Sequence, residues 1–111
     1  MNTVLFCIPL KPNHLDKYLE FLAISRDKHQ QEWKDMLARY DIADVKIWHQ
    51  DIEGRQYAFV SHEVGPNFGQ RIQGWNDSKH PFDQWFREQI LSIYDGSGID
   101  TPATQLFEMK V

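Results

Sequence analysis

The apolar positions of this chain change rhythm from segment to segment, and each rhythm predicts an element. From Asn2 to Leu10 nearly every residue is apolar (VLFCIPL), the pattern of a strand covered on both faces. Pro9 must sit where the ladder needs no donor. After a turn at Lys11-Pro12-Asn13, apolar residues recur every three or four positions through Leu15, Tyr18, Leu22, His29, Trp33, Met36, Leu37 and Tyr40. That stripe predicts a helix from His14 to about Tyr40, about 40 Å long if unbroken, with a bend expected at the polar step Ser25–Asp27.

The period then falls to two. Asp44–Asp51 and Gln56–Val64 are rich in Val, Ile, Tyr, Phe and Trp, side chains that fit a pleated surface. Glu53-Gly54 lies between them, and its glycine supplies the positive φ that a tight hairpin needs. A two-residue turn sets Ile52 opposite Arg55, Gln50 opposite Tyr57, Trp48 opposite Phe59, Lys46 opposite Ser61 and Asp44 opposite Glu63. Alternation puts Val45, Ile47, His49, Ala58, Val60 and His62 on one face. Asp44, Lys46, Trp48, Gln50, Tyr57, Phe59, Ser61 and Glu63 share the other.

Gly65-Pro66-Asn67 closes the hairpin. Phe68, Ile72 and Trp75 are helically spaced, although Gly69 and Gly74 weaken the pattern. A second amphipathic stripe, Phe82, Trp85, Phe86, Gln89, Ile90 and Ile93, follows Pro81 at a first-turn position, with Ser78 as its candidate cap. Asp95-Gly96-Ser97-Gly98 stops it. A last strand is expected over Thr104–Lys110, with Leu106 and Phe107 on opposite faces.

The predicted order is β-α-β-β-α-β. It defines a single α+β, ferredoxin-like domain over residues 1–111 with a four-stranded antiparallel sheet. Two helices cover one sheet face. On the other, Trp48, Tyr57 and Phe59 adjoin one another, more contiguous apolar surface than a monomer usually exposes. Burying each aromatic contributes about 1.5–3 kcal/mol, so a homodimer with sheets packed face to face or edge to edge is the expected assembly.

The charge balance, 12 basic against 16 acidic residues, comes with scattered bases. Phosphate binding needs a basic patch, so nucleic acid is not an expected partner. Cys7 is the only cysteine, which excludes an intrachain disulfide and favours a reducing compartment. Val4–Leu10 is too short to span a bilayer and lacks a basic residue before it. The expectation is a cytoplasmic protein with no membrane partner.

The strand ending in Leu10-Lys11-Pro12, the helix carrying Tyr18, the hairpin, the Ser78-Lys79-His80-Pro81-Phe82-Asp83 helix entry and the final Leu106-Phe107-Glu108 resemble small bacterial proteins of the dimeric α+β barrel superfamily. Within it the chain is most similar to a family without an assigned function. The resemblance implies protomers whose sheets pair into an eight-stranded barrel. A more remote resemblance is to L-rhamnose mutarotases. Pro12 and Tyr18 fall where that family has a proline and a tyrosine six residues later. Leu22 stands in the place of its catalytic histidine, and its tryptophan-proline pair is absent.

Candidate chemistry gathers on the Trp48 face. Lys46, Tyr57, Ser61 and Glu63 accompany the indole there. A carboxylate and an ammonium on a partly buried aromatic surface are able to hold a polar, sugar-like ligand. Under this reading Glu63 is the acid/base, Lys46, Tyr57 and Ser61 are polar anchors, and Trp48 is the floor. Under the alternative, the protein is a non-catalytic structural or interaction dimer, the aromatics are its core, and Lys46 and Glu63 pair at the rim.

His49 and His62 lie four ladder positions apart, roughly 13 Å, too far to share a metal ion whose ligands sit about 2 Å away. No metal or other cofactor is expected. His29 lies on the helical stripe one turn from Trp33, and His80 stands at a helix start, where ligand capture is conceivable for both. Haem-degrading relatives of the superfamily use a histidine as iron ligand. By that resemblance His29, His62 and His80 are the haem candidates.

Overall fold

In a computed structural model of the chain, described for residues 2–96 and 101–111, the elements follow β1 (Asn2–Pro9), α1 (Leu15–Lys28), α2 (Gln30–Arg39), β2 (Ile42–Ile52), β3 (Arg55–Val64), α3 (Phe68–Arg71), a 3₁₀ turn (Ile72–Asp77) and α4 (Pro81–Ile93). The described residues form a three-stranded antiparallel sheet in the order β1-β3-β2. The fold class is α+β, and the helices pack on one face of the sheet.

The hairpin forms in the expected register: Ile52 faces Arg55, Trp48 faces Phe59, Lys46 faces Ser61 and Asp44 faces Glu63. Gly54 has φ 83°, but Glu53 also adopts a positive φ of 54°. Two such residues in succession make the mirror-image turn whose twist matches the strands. The Asp51 carboxylate accepts from the Gly54 N–H at 2.9 Å and steadies it. A register shift between Ile42 and Asp44 marks a bulge at the start of β2.

The long helical stripe is broken at His29, whose φ and ψ are −128° and 21°. The Ser25 hydroxyl donates to the Phe21 carbonyl at 2.7 Å, a bond that bends helices. The break lies two residues beyond the expected polar step, and α2 starts afresh at Gln30. Tyr18, Phe21, Ile90, Ile93 and Tyr94 from α1 and α4 pack on Ile8, Ala58 and Val60 of the sheet. Met36 and Tyr40 of α2 form a second cluster with Phe82.

Two polar contacts tie these layers together. The Tyr18 and Tyr94 hydroxyls meet at 2.7 Å. Burial raises the Tyr18 pKa to about 12 against a smaller lowering from the hydrogen bond with Tyr94. Burial likewise lifts Tyr94 well above the ordinary phenol. At the other end, Asp83 is only 1% exposed. It accepts from the Tyr40 and Ser78 hydroxyls, each at 2.6 Å, and pairs with the Arg39 guanidinium.

Three expectations are corrected here. Ser78 is not the cap of α4: its hydroxyl is spent on Asp83, and the His80 ring accepts from the Phe82 N–H at 3.2 Å instead. Cys7 is exposed rather than buried, because it points to the face without helices. Among the described residues the expected fourth strand does not form. Residues 101–111 form no ladder and are exposed throughout, apart from one backbone bond from the Ala103 N–H to the Leu5 carbonyl at 2.7 Å. Residues 97–100 at the expected helix stop lie outside the described set.

Burial alone would raise the Asp83 pKa, but the Ser78 and Tyr40 hydroxyls and the Arg39 guanidinium outweigh it and hold it below the usual carboxylate value. Replacing it (Asp83→Ala) leaves a guanidinium and two hydroxyls without their acceptor, and is expected to cost about 2–4 kcal/mol in urea unfolding at pH 7. A carboxylate with a depressed folded pKa stabilises above its unfolded pKa of about 3.9 and loses that contribution as pH falls through the folded value. The gap between parent and variant is therefore expected to narrow only under acid conditions. A gap that is constant with pH would assign the loss to packing alone.

Candidate functional site

Between the sheet and its helical cover lies a cavity of about 430 Å³, within the range typical of small-molecule sites. Its floor is the helix-side face of the sheet: Val4, Phe6 and Ile8 from β1, His62 from β3, and Ile42, Val45 and Ile47 from β2. Ile42 and Val45 are three residues apart, a spacing that regular alternation would put on opposite faces. The bulge between Ile42 and Asp44 returns Ile42 to the floor. Trp33, Met36, Leu37 and Tyr40 of α2 line one wall, and Phe86 and Ile90 of α4 another.

The remaining side explains why a cavity exists at all. Phe68, Ile72, Gln73, Trp75 and Asn76 line it, and they belong to a one-turn helix and a 3₁₀ turn. Gly69 and Gly74 are exposed and lie outside the lining, and a side chain on either would meet open space. A full amphipathic helix would fill the space against the sheet. This short cover leaves it open, with exposed Gln73 and Asn76 at the rim. Gly65 at its entry has no freedom to change, since a Cβ would run into the Asp41 carboxylate. That carboxylate accepts from the Asn67 N–H at 2.8 Å and shapes the turn.

Two groups in the lining have unused hydrogen-bonding capacity. The Trp33 indole N–H and His62 Nδ1 are buried without a partner. Leaving such a group unsatisfied costs about 1–3 kcal/mol. The His62 ring packs edge-on against Phe6 with centroids 5.9 Å apart. Burial lowers its pKa, against a smaller upward pull from the Asp44 backbone and carboxylate. The ring is thus held neutral at pH 7, able to donate from one nitrogen and accept at the other.

The residues singled out from sequence lie elsewhere. Lys46, Trp48, Tyr57, Ser61 and Glu63 are on the opposite face of the sheet from the cavity floor, as the register requires. The Lys46 ammonium is 3.9 Å from Asp44, its neighbour two residues back on the same strand. Glu63 accepts from the Thr3 hydroxyl at 2.6 Å. Tyr57 stacks obliquely with Phe59 at 6.5 Å and lies under the Arg55 guanidinium. Trp48 is 53% exposed and Leu5 38%.

His29 caps the break between α1 and α2, bonds Glu32 at 2.7 Å and packs on Trp85 with centroids 4.7 Å apart. His80 is spent on the first turn of α4. Among the described residues, no group of three or more His, Cys, Asp or Glu side chains converges as a metal site would require. Sequence reasoning put His62 on the correct face but took that face as filled. The sequence signal for the cavity was the weak helical pattern over residues 68–75, which yields only a one-turn helix and a 3₁₀ turn.

No protein-family model and no curated protein sequence matches the chain. Among solved structures, it superposes on the crystal structure of L-rhamnose mutarotase from Formosa agariphila with a TM-score of 0.61 and 14% sequence identity. The match covers 99% of this chain and 100% of that one. At that identity the likeness is one of fold: this chain is built on the same α+β scaffold from end to end.

Proposed function

We propose that the protein is a homodimer that binds a small ring-shaped metabolite in the cavity between its sheet and helices. One observation carries the reading: an apolar, aromatic-walled space of about 430 Å³ has two lining residues, Trp33 and His62, with hydrogen-bonding groups left unpaired. A ligand with apolar faces and a few oxygens suits both the walls and those groups. A deoxysugar has that character, because a ring face of C–H groups packs on an indole while its hydroxyls meet the histidine. The end-to-end fold likeness to a mutarotase supports a sugar-like ligand.

The Trp48 face is assigned to the second copy. Leu5, Cys7, Trp48, Tyr57 and Phe59 present apolar surface there with no helix over it, and sheet-to-sheet contact covers it as a dimeric α+β barrel does. In this assembly Lys46, Tyr57, Ser61 and Glu63 are interface and rim residues. Their catalytic and ligand-binding roles belong to the alternative, in which the space between two sheets itself admits a ligand.

A second reading, anomeric interconversion, is favoured by the same fold likeness. Ring opening carries a proton from the anomeric hydroxyl to the ring oxygen, and closure reverses it, so no co-reactant is consumed. With Leu22 in the place of the mutarotase histidine, His62 is the cavity group suited to move that proton near neutral pH.

Titration with L-rhamnose, L-fucose and other monosaccharides, followed by Trp fluorescence and by the ring protons of His62, is expected to give a saturable response with at least one sugar. His62→Leu is expected to weaken that binding about tenfold, while folding stability stays unchanged or rises by about 1 kcal/mol, because an unpaired buried nitrogen has been removed. A stability loss of about 2 kcal/mol or more would make His62 a structural residue and remove the argument. Saturation-transfer NMR between the anomers of a bound sugar tests the second reading, with His62→Leu slowing exchange. For the assembly, light scattering at micromolar concentration is expected to give twice the chain mass, and Trp48→Asp to return it to one. A single-chain mass for the parent protein would exclude the dimer.

A further inference from the structure

The last eight residues, TQLFEMKV, have the composition of a strand with one apolar face and no surface to lay it on. Extended, they put Phe107, Met109 and Val111 on one side and Leu106, Glu108 and Lys110 on the other. Phe107 is 75% exposed, Met109 73% and Leu106 92%, so most of this apolar surface is left uncovered by the chain that carries it. The radius of gyration is 14.4 Å, against roughly 13 Å for a compact chain this long.

The direction of the segment explains why. Leu10 bridges Tyr94 in antiparallel sense, and the Ala103 N–H bonds the Leu5 carbonyl. Tyr94 thus stands at the level of Leu10 and Ala103 at that of Leu5, so by residue 103 the chain has advanced toward the Asn2 end of β1. Continued in step, residue 106 reaches the level of Asn2, where β1 begins. On that course Phe107, Met109 and Val111 would pass beyond the start of the protomer's own sheet, and residues 101–111 form no ladder with it. No strand among the described residues is there to receive them.

We propose that residues 104–111 are an exchanged strand, docked against the sheet of a second copy of this chain. The inference rests on the dimer proposed above and adds a second contact to it. The receiving sheet has both the unpaired strand edge and the bare apolar face that this segment lacks in its own protomer. Around a two-fold axis the exchange is reciprocal, so both segments are covered at once. Each copy thereby receives the fourth strand that its own sequence predicts but its own sheet does not hold.

The test uses the full chain with the photo-crosslinking residue p-benzoylphenylalanine at position 107, mixed with an equal amount of ¹⁵N-labelled parent protein and irradiated. Crosslinked peptides that join labelled and unlabelled chains, with the partner site on β1, β2 or β3, are the expected result. Crosslinks confined to one chain would overturn the exchange. In parallel, the full-length double variant Phe107→Asp/Met109→Asp is expected to raise the dimer dissociation constant by at least about tenfold, with the monomer's helical circular dichroism unchanged. A dimer that forms as tightly as the parent would refute the exchanged strand while leaving the sheet-face dimer intact. A parent chain that is monomeric throughout would remove both.

Discussion

The cavity depends on the seam between α2 and α4, and a single carboxylate holds that seam. Asp83 stands in the first turn of α4, where a negative charge also complements the helix dipole. It gathers Arg39 and Tyr40 from the end of α2 and Ser78 from the approach to α4. Met36 and Tyr40 are thereby pinned beside Phe82, and Ile42 of the sheet packs against the same cluster. A buried carboxylate is an expensive way to join two helices unless every lone pair is used. Three donors meet this one, which is why its charged form is favoured despite burial.

Much of the fold was legible because it follows from periodicity. The hairpin register needed only the Glu53-Gly54 turn and strict alternation, and both facts survive into three dimensions. The helical stripe was legible as helix but not as two helices. The break at His29 comes from a serine hydroxyl bonding back to its own helix and from ring packing of His29 on Trp85 and Phe82, contacts that spacing does not encode. The last strand was legible as a strand in its composition. Among the described residues it joins no ladder, and where the chain is aimed after Ala103 is information that no local propensity carries.

The candidate site was less legible than the fold for a specific reason. Ionisable and aromatic side chains crowded the face that lacks helices, so sequence reasoning weighted Lys46, Tyr57 and Glu63. The cavity face reads as ordinary core: Val, Ile, Phe and one histidine. What distinguishes it is missing volume above the sheet, beside a helix only one turn long. Missing volume has no residue of its own to notice. His62 differs from a filled-core histidine only in its unpaired Nδ1, a fact of packing rather than of sequence.

The two faces of the sheet meet in β3, which is hydrogen-bonded on both sides. Its even-numbered residues Val60 and His62 face the helices and its odd-numbered residues Phe59, Ser61 and Glu63 face away. Any force on the outer face is felt by a strand whose other side forms the cavity floor. His62 and Ser61 are consecutive on a backbone that β1 and β2 clamp from both edges, so neither residue can shift along the strand without the other. A partner sheet packed on Phe59 and Trp48 would stiffen β3 against twisting, and so keep His62 at a constant depth in the cavity floor. In such an arrangement assembly and ligand binding are separate contacts joined through one strand. Dimerisation would act on the cavity by restraining its floor, without contributing a side chain to it.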